Sequence, residues 1–188
     1  EAADVRACRG DCGNSGANVE AVATGGGERS SAVAVTQALA QRPRAKVGPS
    51  ILAGDLSAIA KESRRAVRAG ADFVHLDVFD GNWVPGAFTF GPMVVHALRQ
   101  HVPKAFLDVH LCVVRPEQYV RELAAAGATR VTMHFEALGD PVAAAEEAHA
   151  LGMLAGLALA PETAADSRVL DAARHFDVVL AMTVSPGF

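Results

Sequence analysis

The sequence predicts an α/β fold, a (β/α)8 TIM barrel that extends here through about six βα units. Three observations support this prediction. Short apolar runs recur at regular spacing, Ala-rich stretches with charges at helical spacing lie between them, and polar residues stand late in several of the runs. Parallel strands covered by helices produce the first two patterns, and a barrel brings the late polar residues together at one mouth.

Six apolar runs are the predicted strands, and they start roughly 24 to 32 residues apart. That spacing is the length of a strand, a helix and two short loops. Six repeats of one unit favour a barrel over a doubly wound sheet. The predicted strands are 47–52, 73–78, 105–111, 130–135, 154–159 and 178–184.

The stretches between the runs are predicted helices, as in SAIAKESRRAVRAG and PEQYVRELAAAG. Three of them end in glycine, at Gly70, Gly127 and Gly152, where a helix C-terminus favours a left-handed residue. Ser57 and Pro116 stand where an N-cap and a first-turn proline begin a helix.

The chain is predicted to have two parts. Residues 1–45 are rich in Ala, Gly and Ser and contain no aromatic residue, so we expect a mostly disordered extension. Residues 46–188 are predicted to form the barrel. Eight βα units typically need about 250 residues, whereas about 140 follow the extension. We therefore expect a C-terminally incomplete barrel that lacks two units.

Composition excludes several classes of function. The chain is 51% hydrophobic with a formal net charge of −4, which predicts neither a nucleic-acid nor a membrane-surface partner. No apolar run approaches the roughly 20 residues that cross a bilayer. The three cysteines form no CxxC pair, which favours a reducing compartment, the cytoplasm. A plastid or other organelle stays open as an alternative because of the Ala/Ser-rich extension, and a homo-oligomer is possible.

Two neighbouring strands carry an acid and a histidine two residues apart. His75 and Asp77 share one face of their strand, and Asp108 and His110 repeat the arrangement on the next. Imidazole and carboxylate ligands suit a divalent Zn, Fe, Co or Mn ion. The alternative is structural: each histidine is a hydrogen-bonded interior residue, and each aspartate pairs with an arginine or caps a helix.

Further polar residues have weaker assignments. Asp80, in DGNWVPG, is predicted to order a turn. Asp108 is expected to support His110 as a hydrogen-bond partner. His134 and Glu136 end the fourth predicted strand and could face the mouth, but the sequence shows no partner for either.

Six segments carry a resemblance to a known family: KVGPSILAGDL, GADFVHLDVFDGNWVP, FGPMVV, LDVHLCVVRPEQYV, AGATRVTMHFEA and MTVSPGF. In this order and spacing the chain resembles ribulose-phosphate 3-epimerase from about residue 46 to residue 188. The combination of PSIL, H-x-D-x-x-D-G and D-x-H-L makes the resemblance specific.

The resemblance implies an isomerase that interconverts D-ribulose 5-phosphate and D-xylulose 5-phosphate in the pentose phosphate pathway. The proton at C3 would be moved by acid/base transfer with one divalent metal ion. Asp77 would be a catalytic carboxylate and a metal ligand. The other metal ligands would be His75 and His110, and substrate contacts would come from Ser50, His110, Gly187 and Phe188.

The sequence departs from the family pattern. Relatives usually carry methionine where Phe79 and Cys112 stand, whereas Met182 is retained. The family's second catalytic aspartate belongs to the seventh strand, beyond the sixth predicted strand, so we expect the chain as given to be inactive. Two alternatives remain, a hexulose-6-phosphate 3-epimerase and a catalytically dead barrel fragment that acts as a binding module.

Overall fold

The structure, a computed structural model, describes residues 44–186. The predicted disordered extension falls almost entirely outside this range, as do Gly187 and Phe188. Within the described residues, no helix is long and apolar enough to cross a membrane.

Five parallel strands form one sheet in the order of the chain, with each strand paired to the next. A helix lies between consecutive strands, as the predicted barrel requires. The strands are β1 (Val74–Phe79), β2 (Leu107–Cys112), β3 (Arg130–His134), β4 (Leu154–Leu159) and β5 (Val178–Ala181).

The prediction of a first sheet strand at 47–52 is wrong, because this segment does not pair with the sheet as a strand. It runs beside β1 but forms a single parallel bridge, between Ser50 and His75. The carbonyl of Pro49 accepts a hydrogen bond from the His75 amide, 3.1 Å away. Proline has no N–H to extend the ladder, and the Ser50 side chain then caps a 3-10 helix, Ile51–Ala53. The segment therefore leaves the sheet at the site.

One α-helix precedes β1 and four connect the strands, which confirms the predicted alternation. Gly70, Gly127 and Gly152 follow three of them with φ angles of 96°, 89° and 81°, the left-handed conformation predicted for these positions. The helices are α1 (Ile59–Arg68), α2 (Pro92–His101), α3 (Val120–Ala126), α4 (Pro141–Ala150) and α5 (Ser167–Ala173).

Of the two predicted helix starts, the one at Pro116 is confirmed and the one at Ser57 is wrong. Pro116 begins a 3-10 helix, Pro116–Tyr119, which leads directly into α3. Ser57 caps nothing; instead it lies inside a 3-10 helix, Leu56–Ala58, whose N-cap is Asp55. The Asp55 carboxylate accepts the Ser57 amide at 2.9 Å, and a carboxylate is at least as good an N-cap as a hydroxyl.

Strand register separates an apolar face from a polar one. Leu76, Val109, Val131 and Ala155 occupy one register row, are fully buried, and belong to the hydrophobic core that the helices cover. The adjacent row contains Asp77, His110, Thr132 and Gly156. Because side chains alternate along a strand, this polar row points to the barrel interior.

Arg99 joins α2 to the loop that follows α3. Its guanidinium donates two hydrogen bonds to the Gly127 carbonyl, at 2.9 and 2.7 Å, and another to the Ala105 carbonyl at 2.7 Å. A fourth reaches the Thr129 hydroxyl at 3.0 Å. The planar guanidinium thus donates hydrogen bonds to backbone carbonyls in the two loops that precede β2 and β3.

Candidate metal centre

Three predicted ligands meet on β1 and β2. The Nε2 atom of His75 lies 3.1 Å from Oδ1 of Asp77, and Nδ1 of His110 lies 2.9 Å from the same oxygen. The strand register explains the cluster, since Asp77 is paired with His110 and His75 stands two residues earlier on the same face. The ligand atoms of these three residues all lie within 4.8 Å of one another, close enough to share one ion.

Asp108 supports His75, not His110, so the predicted partner was wrong. Oδ2 of Asp108 lies 2.7 Å from Nδ1 of His75. Its register partner on β1 is His75, whereas His110, two residues along the same strand, contacts Asp77 and His134 instead. Asp108 also accepts hydrogen bonds from Arg130, at 2.7 and 2.8 Å, and from Thr132 at 3.0 Å.

Ser50 contacts the second oxygen of Asp77. Its hydroxyl donates to Oδ2 of Asp77 at 2.5 Å, while Oδ1 faces the two histidines. The side chain occupies this position because the chain turns into the 3-10 helix directly after the bridge to β1. The structure thus brings Ser50 to the cluster, as the sequence resemblance implied.

The charges of the cluster follow from burial and pairing. Burial would lower the pKa of His75, but hydrogen bonds with Asp108 and Asp77 outweigh it and raise this pKa to about 9. Burial would raise the pKa of Asp77, yet hydrogen bonds from His110 and His75 hold it well below its ordinary value. Burial would also raise the pKa of Asp108, but hydrogen bonds from Arg130 and His75 outweigh this effect and lower the pKa to about 2. Both carboxylates are therefore ionised at neutral pH.

His134 and Glu136 do have partners, which the sequence did not show. Nε2 of His134 lies 2.9 Å from Nε2 of His110, and Nδ1 of His134 lies 3.2 Å from Oε2 of Glu136. His134 is fully buried. The available signal was the two-residue spacing of His134 and Glu136, although Glu136 lies in the 3-10 helix directly after β3 and not on the strand itself.

Cys112 forms a second group of possible ligands with His110 and His134. Its sulfur lies 3.6 Å from Nε2 of His110 and 3.8 Å from Nε2 of His134. Burial and the nearby charges of Asp77 and Asp80 raise the pKa of the thiol. A metal ligand must be a thiolate, so this group is less suited to an ion than the carboxylate-containing one.

A cavity of about 370 Å³ opens beside the cluster. Its polar lining includes Ser50, Asp77 and His110, and Asp77 is the one carboxylate among the described lining residues. The apolar lining includes Phe79, Cys112 and Met182, the three positions at which the sequence resemblance leads us to expect methionine. The rest of the lining is Leu52, Ala53, Ser185 and Pro186.

Asp80 orders the loop after β1, as predicted. Its Oδ1 accepts the amides of Asn82 and Trp83, at 2.8 and 2.9 Å. Its Oδ2 accepts the amide of Val114 at 3.0 Å, which ties this loop to the one after β2. Both loops border the mouth, so Asp80 has a structural role next to the cluster.

Comparison with known proteins identifies the family. The model of the ribulose-phosphate 3 epimerase family matches residues 46–188. The chain belongs to this family.

Curated relatives agree with the assignment. Ribulose-phosphate 3-epimerase of Schizosaccharomyces pombe is 44% identical over 77% of this chain and 63% of its own length. The cytoplasmic isoform of ribulose-phosphate 3-epimerase from Oryza sativa subsp. japonica is 40% identical over 80% of this chain and 66% of its own. This ribulose-phosphate 3 epimerase family member thus spans somewhat less than two thirds of the length of these relatives.

A solved structure supports the fold alone. The tryptophan synthase alpha chain of Legionella pneumophila subsp. pneumophila superposes with a TM-score of 0.51 over 82% of this chain and 67% of that one. Its sequence identity to this epimerase family member is only 9%. The similarity is therefore one of architecture, and it carries no functional argument.

Proposed function

We propose that the protein is a ribulose-phosphate 3-epimerase, which interconverts D-ribulose 5-phosphate and D-xylulose 5-phosphate. The observation that carries the proposal is the convergence of His75, Asp77 and His110 beside one cavity. Family membership and the names of the curated relatives support it. The relatives' common name also favours a five-carbon substrate over a hexulose 6-phosphate.

The donor set fits one divalent ion. His75 would offer Nε2, Asp77 Oδ1 and His110 Nδ1, two imidazoles and a carboxylate suited to Zn²⁺, Fe²⁺, Co²⁺ or Mn²⁺. When bound, such an ion supplies Lewis-acid stabilisation of negative charge that develops on substrate oxygens. Asp108 holds Nδ1 of His75, so that the opposite nitrogen faces the cluster.

Asp77 would take the proton from C3 of the substrate. The C3–H bond breaks, its electron pair moves into the C2–C3 bond, charge develops on the C2 oxygen, and the proton goes to the carboxylate. Asp77 is ionised and can accept a proton, and Ser50 fixes its orientation through Oδ2. We also propose that Ser50 and His110 contact the substrate, since both line the cavity.

Inversion at C3 needs a second acid on the opposite face. Asp77 is the one carboxylate among the described residues that line the cavity, and the family resemblance assigns the second aspartate to a seventh strand. We therefore propose that this chain, taken alone, exchanges the C3 proton on one face without inverting the carbon.

We propose that Gly187 and Phe188 begin a phosphate-binding loop. Ser185 and Pro186, directly before them in the sequence, line the cavity. Backbone N–H groups of a glycine-containing loop suit a phosphate group. A substrate bridging from this loop to Asp77 would place its sugar carbons beside the cluster.

The test is incubation of metal-loaded protein with D-ribulose 5-phosphate in D₂O, followed by NMR. We expect deuterium at C3 of recovered ribulose 5-phosphate with little xylulose 5-phosphate, and loss of exchange in Asp77→Asn. Asp171→Asn, at an exposed ion pair with Arg174, is the matched control and should exchange normally. Absence of exchange in the intact, metal-loaded chain would refute this assignment of Asp77. Steady xylulose 5-phosphate formation would show that the chain supplies both acids.

We propose the cytoplasm as the compartment. Support comes from the rice relative, whose name describes a cytoplasmic isoform. Fractionation of cells that produce the protein with its natural N-terminus tests the proposal, and co-sedimentation with plastids would contradict it. The possible homo-oligomer stays a prediction, and sedimentation equilibrium would check it.

A further inference from the structure

A chain of hydrogen bonds leads away from the candidate metal centre, from β2 to the end of β3 and the 3-10 helix Phe135–Ala137 that follows it. It runs from His110 to His134 through their Nε2 atoms, 2.9 Å apart, and from His134 Nδ1 to Oε2 of Glu136, 3.2 Å away. His110 is 2% and His134 0% exposed, so water does not replace these contacts. We refer to His110, His134 and Glu136 as the relay.

Glu136 determines which nitrogen of His134 carries the proton, and so the direction of the hydrogen bonds in the relay. An ionised carboxylate accepts hydrogen bonds and cannot donate one. Its other oxygen, Oε1, already accepts the amide of Ala160 at 2.8 Å and the hydroxyl of Thr163. Both oxygens therefore act as acceptors, and Oε2 requires the proton of His134 to be on Nδ1.

The proton order of the remaining relay follows from this tautomer. A neutral His134 protonated at Nδ1 has a bare Nε2, which must accept from Nε2–H of His110. Without an ion, the ionised Asp77 carboxylate accepts a hydrogen bond from Nδ1–H of His110. An ion bound at Nδ1 would replace that proton, and the proton on Nε2 of His110, donated to His134, would leave the Nδ1 lone pair to the ion. That nitrogen faces Asp77 and is the atom that His110 contributes to the ligand cluster. The Cys112 thiol, 3.8 Å from His134 Nε2, is too weak a donor to compete.

We propose that Glu136 and His134 are positioning residues that keep Nδ1 of His110 available to a divalent ion. This inference rests on the metal site of the proposed function. Neither residue belongs to the ligand group His75, Asp77 and His110 or lines the cavity beside it, so both act through His110. Hydrogen-bonded partners of metal-ligating histidines typically change metal affinity about 10- to 100-fold when they are altered.

Glu136→Gln should reverse the relay. Ala160 and Thr163 both donate, so the amide oxygen of the new side chain must face them and its NH₂ group must face His134. The NH₂ group donates to Nδ1, which moves the His134 proton to Nε2. His134 then donates to Nε2 of His110, which can no longer carry a proton. The proton of His110 is therefore held on Nδ1, the nitrogen that a metal needs.

The first measurement is Co²⁺ affinity, followed through the visible absorption of the bound ion. We expect Glu136→Gln to bind Co²⁺ about 10- to 100-fold more weakly than the unmodified chain. Thr163→Val is the matched control: it removes a hydrogen bond to Oε1 and leaves Oε2 facing His134, so its affinity should change less than about 3-fold. Equal affinities of Glu136→Gln and the unmodified chain would overturn the proposal.

A double-mutant cycle separates proton order from a merely structural role. The carbonyl oxygen of Gln in His134→Gln can accept from His110 whatever residue 136 is, because an amide does not change tautomer. We therefore expect Glu136→Gln to have little further effect on Co²⁺ affinity in the His134→Gln background. An undiminished loss there would show that Glu136 acts through the fold and would contradict the relay.

The second measurement is independent of metal. Long-range ¹H–¹⁵N correlations of the metal-free, ¹⁵N-labelled chain report which nitrogen of His134 carries the proton. We expect Nδ1–H in the unmodified chain and Nε2–H in Glu136→Gln; the same tautomer in both would overturn the proposal. If the two proteins differ in tautomer as expected but the unmodified chain binds no Co²⁺, the proton order is supported and the metal-dependent function is contradicted.

Discussion

Nδ1 of His75 lies 2.7 Å from Oδ2 of Asp108, its register partner on the neighbouring strand. Asp108 is 2% exposed and accepts four hydrogen bonds in all, from His75, Arg130 and Thr132. Asp108 therefore both orients the candidate ligand His75 and forms a buried ion pair with Arg130. A change at Asp108 should affect both stability and metal binding.

Asp108→Asn should be strongly destabilising. The amide must turn its NH₂ group toward a donor, and the Arg130 charge loses its counter-ion. We expect the free energy of unfolding to fall by about 3 kcal/mol, the loss typical of a broken buried pair. Urea denaturation measures the change. Asp171→Asn, which removes the same charge from an exposed pair, should cost less than about 1 kcal/mol; equal losses would contradict the buried role.

Gly156→Ala should strain the barrel interior. A Cβ atom at Gly156 would lie 2.4 Å from Oγ1 and 3.0 Å from Cβ of Thr132, its register partner. Since overpacking typically costs about 1–3 kcal/mol, we expect a loss in that range by thermal or urea denaturation. Gly139→Ala is the control, because the nearest atom to a Cβ there is 3.9 Å away. An unchanged stability of Gly156→Ala would show that Thr132 can move aside.

The pH dependence of the metal-free chain should report His75. Its pKa is about 9 in the folded protein and about 6.5 when unfolded. A raised folded-state pKa stabilises the fold fully below pH 6.5, and that contribution disappears as pH rises through 9. We therefore expect chelator-treated protein to lose at most about 3 kcal/mol between these limits. His75→Gln should lack this component; an identical pH profile in both proteins would contradict the assignment.

Cys112 should resist alkylation in the native protein. The thiol is fully buried, and burial together with the Asp77 and Asp80 charges raises its pKa. Since the thiolate is the reactive form, we expect iodoacetamide to modify Cys112 only after denaturation. Mass spectrometry of the peptide that contains residue 112 measures this, with the denatured chain as the control. Rapid modification in the native protein would indicate that the cavity opens as far as Cys112.

Much of the site was predictable because β-strand geometry is local. Side chains two residues apart share a face, so the sequence places His75 with Asp77 and Asp108 with His110 without knowledge of the fold. The strand spacing adds that β1 and β2 are parallel neighbours. These facts predict that two histidines and at least one carboxylate meet at the mouth, and the family resemblance names them as His75, Asp77 and His110. The structure places these three residues together.

The partners of Asp108 and His134 were not predictable in the same way. Asp108 has a histidine at i+2 on its own strand and another across the sheet, and only the register decides that the second one receives its hydrogen bond. His134 contacts His110, 24 residues away, because β2 and β3 pair with a particular offset. Sequence spacing gives the face of a residue but not this offset.

The sequence by itself determined the alternation of strands and helices, the family, and the three candidate ligands, because each depends on local periodicity or on motif residues. Only the tertiary structure decided that 47–52 forms a single bridge, that Asp108 supports His75, and that Glu136 and His134 reach His110. The physical reason is that these contacts join residues from different strands. Their distances depend on register and strand pairing, which the packing of the whole sheet selects.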